Sequence, residues 1–160
     1  MLPFDTCRAV ACAIQAPSSH NTQPWRFRRR GEVLELWLDR DRHLDVVDPL
    51  KRQALMSCGC ALYNARVAIR AEGWTDKVEL FPRSGEPDLV AELRLGLQRT
   101  ATNDDRALLS AIPRRHTNRR PFLDRPVAAE DADELIRAAR AERTRMFRLS
   151  PQRKQELAEL

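Results

Sequence analysis

Two polar loops concentrate the side chains of this chain that are able to do chemistry. The first is Ala16-Pro17-Ser18-Ser19-His20-Asn21-Thr22-Gln23-Pro24-Trp25-Arg26-Phe27, where hydroxyl, carboxamide and imidazole groups crowd between two prolines. Carboxamides donate and accept hydrogen bonds, so Asn21 and Gln23 suit a heteroaromatic ring that carries carbonyls and ring nitrogens. Ser18 and Ser19 are candidates to donate to a sugar-like chain or to ring oxygens. The same composition describes a turn whose side chains satisfy their own backbone, and the residues alone leave both readings open. Trp25 serves either as core or as one flank of a ligand site. The second loop is Arg114-Arg115-His116-Thr117-Asn118-Arg119-Arg120-Pro121-Phe122, with four guanidiniums and a hydroxyl within seven residues. Arginine stays charged and grips phosphate through two parallel N–H bonds. Arg115 and Arg119, with Thr117 between them, converge on one phosphate if the backbone curls. A solvated basic face, or a nucleic-acid patch, is the competing reading. Phe122 is expected to anchor this loop.

Other chemistries find less support. Cys7, Cys12, Cys58 and Cys60 sit in a chain that is not a small secreted one, so buried thiols are expected rather than disulfides. The one-residue gap in Cys58-Gly59-Cys60 is shorter than the spacing of paired zinc thiolates. Ser19, His20 and Asp39 or Asp41 supply the residue types of a hydrolase triad, but nothing positions them and no nucleophile elbow occurs. No Gly-x-Gly-x-x-Gly or triphosphate-binding loop appears either. A phosphate would be held by arginine and polar side chains.

The elements that must carry these loops follow from apolar spacing. Residues 5–16 read as a helix, capped by Asp5 or Thr6, with Val10, Ala13 and Ile14 on its apolar face and Pro17 at its end. Trp25-Arg26-Phe27-Arg28 alternates, Val33 to Leu38 is a stronger strand, and Arg30-Gly31-Glu32 joins them as a hairpin. Residues 50–72 form the longest helical pattern, with Leu55, Cys58, Leu62, Ala65 and Ile69 on one face. Gly59 inside it is expected to permit close packing, and Gly73 to cap its C-terminus. Strands are expected over 77–81 and 89–95, and a helix over 103–112 that stops at Pro113. Residues 129–141 form a further helix in which Asp133 and Arg137 are spaced to pair. Residues 146–149 are a strand candidate, and 151–160 begin another helix.

Composition bounds the remaining choices. The chain has 160 residues, a net charge of +5 and 42% hydrophobic residues, enough for a packed core. The basic balance favours an anionic partner without choosing one. The apolar stretches are short and broken, far from the roughly 20 residues of a membrane span, and the N-terminus lacks a secretory pattern. A soluble, cytoplasmic protein with no membrane partner is expected.

The first loop, from Ala16 to Phe27, resembles the flavin-contacting motif of the nitroreductase superfamily, in the variant of its Acg-like, FMN-binding branch. Cys58-Gly59-Cys60-Ala61-Leu62, Ala71-Glu72-Gly73-Trp74 and the segment from Ile112 to Phe122 resemble the same branch. The resemblance implies an α+β, nitroreductase-like fold with an antiparallel-rich central sheet and flanking helices. It also implies FMN as cofactor. Arg115, Thr117 and Arg119 match the family's phosphate motif. Pro17, Ser18, Ser19 and Asn21 match its flavin loop, with Gln23 a further candidate. The order of the two motifs is that of a fused architecture, two nitroreductase-like halves in one chain. On that reading, residues 1–110 are the first half and residues 111–160 the start of an incomplete second half.

The implied function is transfer of a hydride from NAD(P)H, a transient reductant, through flavin to a nitro compound, a quinone or another electrophilic small molecule. A flavin-sequestering stress protein with little turnover is the alternative. The implied partners are the small-molecule electrophile and either a second copy or a missing C-terminal half. Nucleic acid is not expected, because the basic segment lacks interleaved aromatics and a recognition helix.

Overall fold

The computed structural model describes residues 6–123 and 125–159. Asp5, one of the two expected caps of the first helix, lies outside them. The chain divides into two compact units, residues 1–117 and 118–160.

The first unit is a helical layer on one antiparallel sheet. Its helices are α1 (Thr6–Ala13), α2 (Arg52–Ala71) and α3 (Asn103–Ala111). Its strands are β1 (Trp25–Arg30), β2 (Val33–Leu38), β3 (Trp74–Leu80) and β4 (Leu89–Gln98), in the order β1-β2-β4-β3. All three pairings are antiparallel. The β1–β2 reversal is a two-residue loop, Gly31-Glu32, closed by the Arg30–Val33 pair. Gly31 has φ +59°, as the first central residue of a II′ hairpin turn requires. Helix α2 then carries the chain across the sheet, so that β4 enters between β2 and β3. The α+β, antiparallel-rich expectation is borne out.

The alternation of β2 decides which face is buried. Leu34, Leu36 and Leu38 join Ala91 and Leu93 of β4 in the core with Cys58, Leu62, Ala65 and Ile69 of α2. Helix α1 packs there through Ala9, Cys12 and Ala13, small residues that let helices approach closely. Asn64 Nδ2 donates to the Cys12 carbonyl at 3.1 Å and ties α1 to α2. Trp25, open between core and site in the sequence, is core.

Charge organises the other face of the sheet. Glu35 and Glu92 lie opposite each other on β2 and β4, and both are buried. Two buried carboxylates side by side repel unless cations intervene. Arg30 Nε donates to Glu35 at 2.6 Å and Arg30 Nη2 to Glu92 at 3.0 Å. Arg83 Nη2 reaches both, at 2.5 and 2.6 Å, and Arg94 and Trp37 complete the set. Burial alone would raise the Glu35 carboxyl, but the bonds from Arg30, Arg83 and Trp37 outweigh it and hold it down to about 2. Arg83 lies in the β3–β4 connection, so this network also fastens that connection onto the sheet.

Several expectations are corrected. α1 ends at Ala13, three residues early, and Ile14 is 48% exposed, because the chain already turns there toward Pro17. Gly59 faces open space instead of a close neighbour, so its lack of a side chain serves no packing. Gly73 does cap α2: its φ is +85°, and a Cβ would sit 2.7 Å from the Arg99 carbonyl oxygen. Cys7 is exposed rather than buried.

In the second unit, α4 (Ala129–Ala141) and α5 (Pro151–Ala158) stand where helices were expected. Residues 146–149 form no strand. Asp133 pairs not with Arg137 but with Arg148 Nη2 at 3.1 Å, which also bonds the Ala129 carbonyl at 2.6 Å. A residue from beyond the helix thus takes the place of the i+4 partner.

Gly59→Ala is expected to stabilise the chain by about 0.5–1 kcal/mol, since it removes unfolded-state freedom and meets nothing. Gly73→Ala is expected to destabilise it by about 1–2 kcal/mol or more. Urea denaturation of both variants checks the pair. Glu35→Gln is expected to cost about 2–3 kcal/mol near neutral pH, because it leaves two guanidiniums partly unmatched. The Glu35 carboxyl is held below its ordinary range, so its stabilisation is complete above the unfolded carboxylate range. It fades as pH falls toward 2. Denaturation midpoints of the two proteins across that window should converge on the acid side.

Candidate functional site

Loop 17–24 leaves α1, makes two overlapping turns closed by Asn21 N–H on the Ser18 carbonyl at 3.1 Å and Thr22 N–H on the Ser19 carbonyl at 3.0 Å, and enters β1. Its backbone is unusual. His20, Asn21 and Gln23 all have left-handed φ, at 50°, 58° and 49°. Asn and His tolerate that region better than most residues, whereas Gln has no local bond to favour it. Left-handed backbone costs roughly 1–2 kcal/mol per ordinary residue, so the loop persists only where its surroundings hold it.

Helix α2 supplies most of that hold. The Ser19 N–H donates to Ser57 Oγ at 3.2 Å, and the Ser57 hydroxyl donates to the Gln53 carbonyl at 2.8 Å. The Ser19 hydroxyl donates to Gln53 Oε1 at 2.6 Å. Within the loop, the Gln23 N–H donates to Ser18 Oγ at 3.0 Å, and Thr22 Oγ1 donates to the Ser19 carbonyl at 2.9 Å. At the exit, the buried Cys58 thiol donates to the Pro24 carbonyl at 3.2 Å. Burial pushes that thiol up to about 12, so Cys58 acts as a hydrogen-bonding core residue and not as a nucleophile.

The start of α2 is itself fixed. Asp48 is buried and accepts from the Ala54 N–H at 2.9 Å. Burial would raise its carboxyl, but the first-turn N–H groups of Ala54, Gln53 and Arg52 hold it below the ordinary range. His43, its side chain almost wholly buried, bridges Asp45 Oδ1 and the Asp48 carbonyl, both at 2.7 Å. Gln53 and Ser57 therefore sit on a helix end that is held in register.

The arginine loop arrives from α3. The Thr102 hydroxyl accepts from the Asp105 N–H at 3.1 Å, and Asp105 Oδ2 accepts from the Thr102 N–H at 2.7 Å, a reciprocal cap. Arg99 holds the Asp105 carboxyl well below its usual range, against the effect of burial. A 3₁₀ turn over Ile112–Arg114 follows, with Ile112 buried in the core. It delivers Arg115 to the end of α1, where Nη2 donates to the Gln15 carbonyl at 3.3 Å. Arg115 Nη1 donates to Thr117 Oγ1, also at 3.3 Å. Burial raises the Cys60 thiol on α2, and the Arg115 guanidinium partly offsets this.

Arg115 and Thr117 are thus together, and Arg115 bonds a carbonyl two residues before Pro17. Pro17, Ser18, Ser19, Asn21 and Gln23 share one loop; Asn21 is exposed and the others are half-buried. Arg119 belongs to the second unit. Phe122 anchors nothing: it is 88% exposed. Ser19 bonds Gln53 rather than His20, and Asp39 is engaged by Arg26 at 2.7 Å, so no hydrolase triad forms. Gln53 and Ser57 were missed from sequence. Their only signal was two polar residues one turn apart at the start of a helix, which is also how a solvated face reads.

No protein-family model matches the chain. Two Mycobacterium tuberculosis proteins that carry the name "Putative NAD(P)H nitroreductase" do match. Rv3131 is 41% identical over 141 residues, covering 87% of this chain and 40% of its own length. The protein acg is 40% identical over 118 residues, covering 74% of this chain and 36% of its own length. This chain therefore spans about 40% or less of the curated relatives it matches. Among solved structures, a nitroreductase family protein from Streptococcus pneumoniae aligns with 64% of this chain and 84% of its own, at 15% identity and a TM-score of 0.47. That score leaves the fold to be argued from the topology above. The resemblance to the Acg-like branch of the nitroreductases is borne out by the two sequence relatives. Among the described residues, no helix is long and apolar enough to cross a membrane.

Gln23→Gly tests whether the left-handed backbone is strained. Relief of the left-handed penalty is expected to outweigh the entropy glycine adds to the unfolded chain, raising stability by up to about 1 kcal/mol. A thermal or urea midpoint that falls instead shows that the Gln23 side chain carries a contact worth more than the strain.

Proposed function

We propose that this chain holds FMN and serves an oxidoreductase of the nitroreductase type, taking reducing equivalents from NAD(P)H to a nitro compound, a quinone or another electrophile. The observation that carries the reading is the meeting of Arg115 and Thr117 with the end of α1, two residues ahead of the strained loop 17–24. Relatives named as NAD(P)H nitroreductases support it. The donor set fits the group. A permanent cation and a hydroxyl suit a phosphate dianion, and a neighbouring loop of hydroxyls and carboxamides suits a ring with several acceptors.

When bound, the flavin supplies the hydride and electron chemistry. The chain's own residues bind and orient. Arg115 neutralises phosphate charge, with Thr117 adding a hydroxyl. Ser18, Ser19 and Asn21 face the ring or its polyol chain, with Gln23 beside them and Pro17 setting the loop's entry. Burial of Cys58 removes a competing thiolate from the loop's support. In the same reading, residues 1–110 form one nitroreductase-like half and residues 111–160 open a second, completed by further chain or by a second copy.

Gel filtration after incubation with FMN tests the site. A folded protein is expected to retain flavin absorbance, and Arg115→Ala with Arg119→Ala to weaken binding roughly tenfold or more. A monodisperse, folded protein that keeps no flavin sinks the reading. Retained flavin that neither NADH nor NADPH reduces points instead to a flavin-sequestering protein.

A further inference from the structure

The hydrogen bonds around Ser19 set the direction of its hydroxyl before any ligand arrives. Ser57 Oγ accepts from the Ser19 N–H and donates to the Gln53 carbonyl, so its proton and its position are both committed. Ser19 Oγ is then left with Gln53 Oε1 as its acceptor, at 2.6 Å. A serine hydroxyl has one proton and two lone pairs. With the proton turned toward α2, Ser19 offers lone pairs to anything approaching from the loop's open side. Ser18 is set the other way. Its oxygen already accepts the Gln23 N–H at 3.0 Å, which leaves its proton to be given. The two adjacent serines therefore differ: the Ser18 proton is free to be given, whereas the Ser19 proton is spent on Gln53 and leaves only lone pairs.

We infer that Gln53 is a positioning residue that fixes Ser19 as a hydrogen-bond acceptor, so that the loop selects a ligand edge carrying an N–H or O–H donor beside an acceptor. This rests on the flavin reading above, since FMN carries such donors on both its ring imide and its polyol chain. It corrects the expectation that both serines donate. The cause is tertiary: Gln53 lies 34 residues from Ser19 in sequence and reaches it only because Asp48 fixes the first turn of α2.

The backbone of Gln53 is fixed. Its own carbonyl is taken by Ser57 one helical turn on, and the next residue, Ala54, is buried and bonded to Asp48. The carboxamide therefore projects from a held turn of α2, and its oxygen accepts from Ser19. A hydroxyl held by an amide oxygen keeps its proton turned toward α2, so the device presets its polarity.

Four variants of the whole 160-residue chain, Gln53→Glu, Gln53→Leu, Ser19→Ala and the Ser19→Ala/Gln53→Leu double, separate the possibilities, with FMN as the probe and its fluorescence quenching as the readout. Gln53→Glu keeps an acceptor at the same reach and is expected to hold FMN within about twofold of the parent. Gln53→Leu removes the acceptor, frees the Ser19 proton to turn outward and is expected to weaken FMN about fivefold. In a Ser19→Ala background the Gln53→Leu effect is expected to vanish, because there is no proton left to direct. Amide hydrogen exchange at Ser19 and Thr22 shows whether the loop is still folded in each. If Gln53→Glu loses as much affinity as Gln53→Leu with the loop intact, the amide N–H and not its oxygen faces Ser19, and the inference falls. An undiminished Gln53→Leu loss on Ser19→Ala overturns it too. A folded parent that binds no FMN removes the flavin reading itself, an outcome distinct from both.

Discussion

Loop 17–24 is held in place by α2, and without those bonds its backbone has no reason to persist. Three left-handed residues in four positions cost several kcal/mol as an order of magnitude. The half-buried Ser19–Ser57–Gln53 cluster and the buried Cys58 thiol on Pro24 supply the bonds that offset this cost. Strain of this kind persists only where neighbours overdetermine it. Everything that positions α2 is therefore part of the candidate site, including Asp48 at its first turn and the core leucines beneath it.

That dependence explains how the first unit divides its labour. One face of the sheet is sealed by apolar packing against α2, and α1 approaches through alanines and Cys12, bringing Gln15 and Pro17 to the helix. The other face holds Glu35 and Glu92 between arginines. Apolar burial is non-directional and sets distance, while the charge network sets register, since each carboxylate is satisfied by guanidiniums from particular strands. The β3–β4 connection stays seated through Arg83, so β4 keeps its place at the centre of the sheet.

The arginine loop is positioned by a different route. A reciprocal cap starts α3, Ile112 anchors its end, and Arg115 is carried to the Gln15 carbonyl, two residues past α1 and one hundred residues earlier in the chain. The C-terminal end of a helix is where unpaired carbonyls and a guanidinium meet favourably. Arg115 and Thr117 thereby meet the chain just ahead of loop 17–24, although the two segments lie at opposite ends of the first unit in sequence.

Period and turn chemistry made much of this legible in the residues. The 3.6-residue stripe of α2, the alternation of β2, the Gly31 reversal and the Gly73 cap are local patterns, and local patterns survive without knowledge of neighbours. The crowding of Ser18, Ser19, Asn21 and Gln23 between prolines, and of Arg115 and Thr117 near Pro113, was equally visible. The roles of Gly59, Phe122 and Asp133 were not, because open space, exposure and a long-range partner are properties of the folded chain. Nor did the sequence say which way a serine hydroxyl points. That was decided by Gln53 and Ser57 arriving from another element, since a hydroxyl takes its direction from whichever acceptor the tertiary fold places beside it.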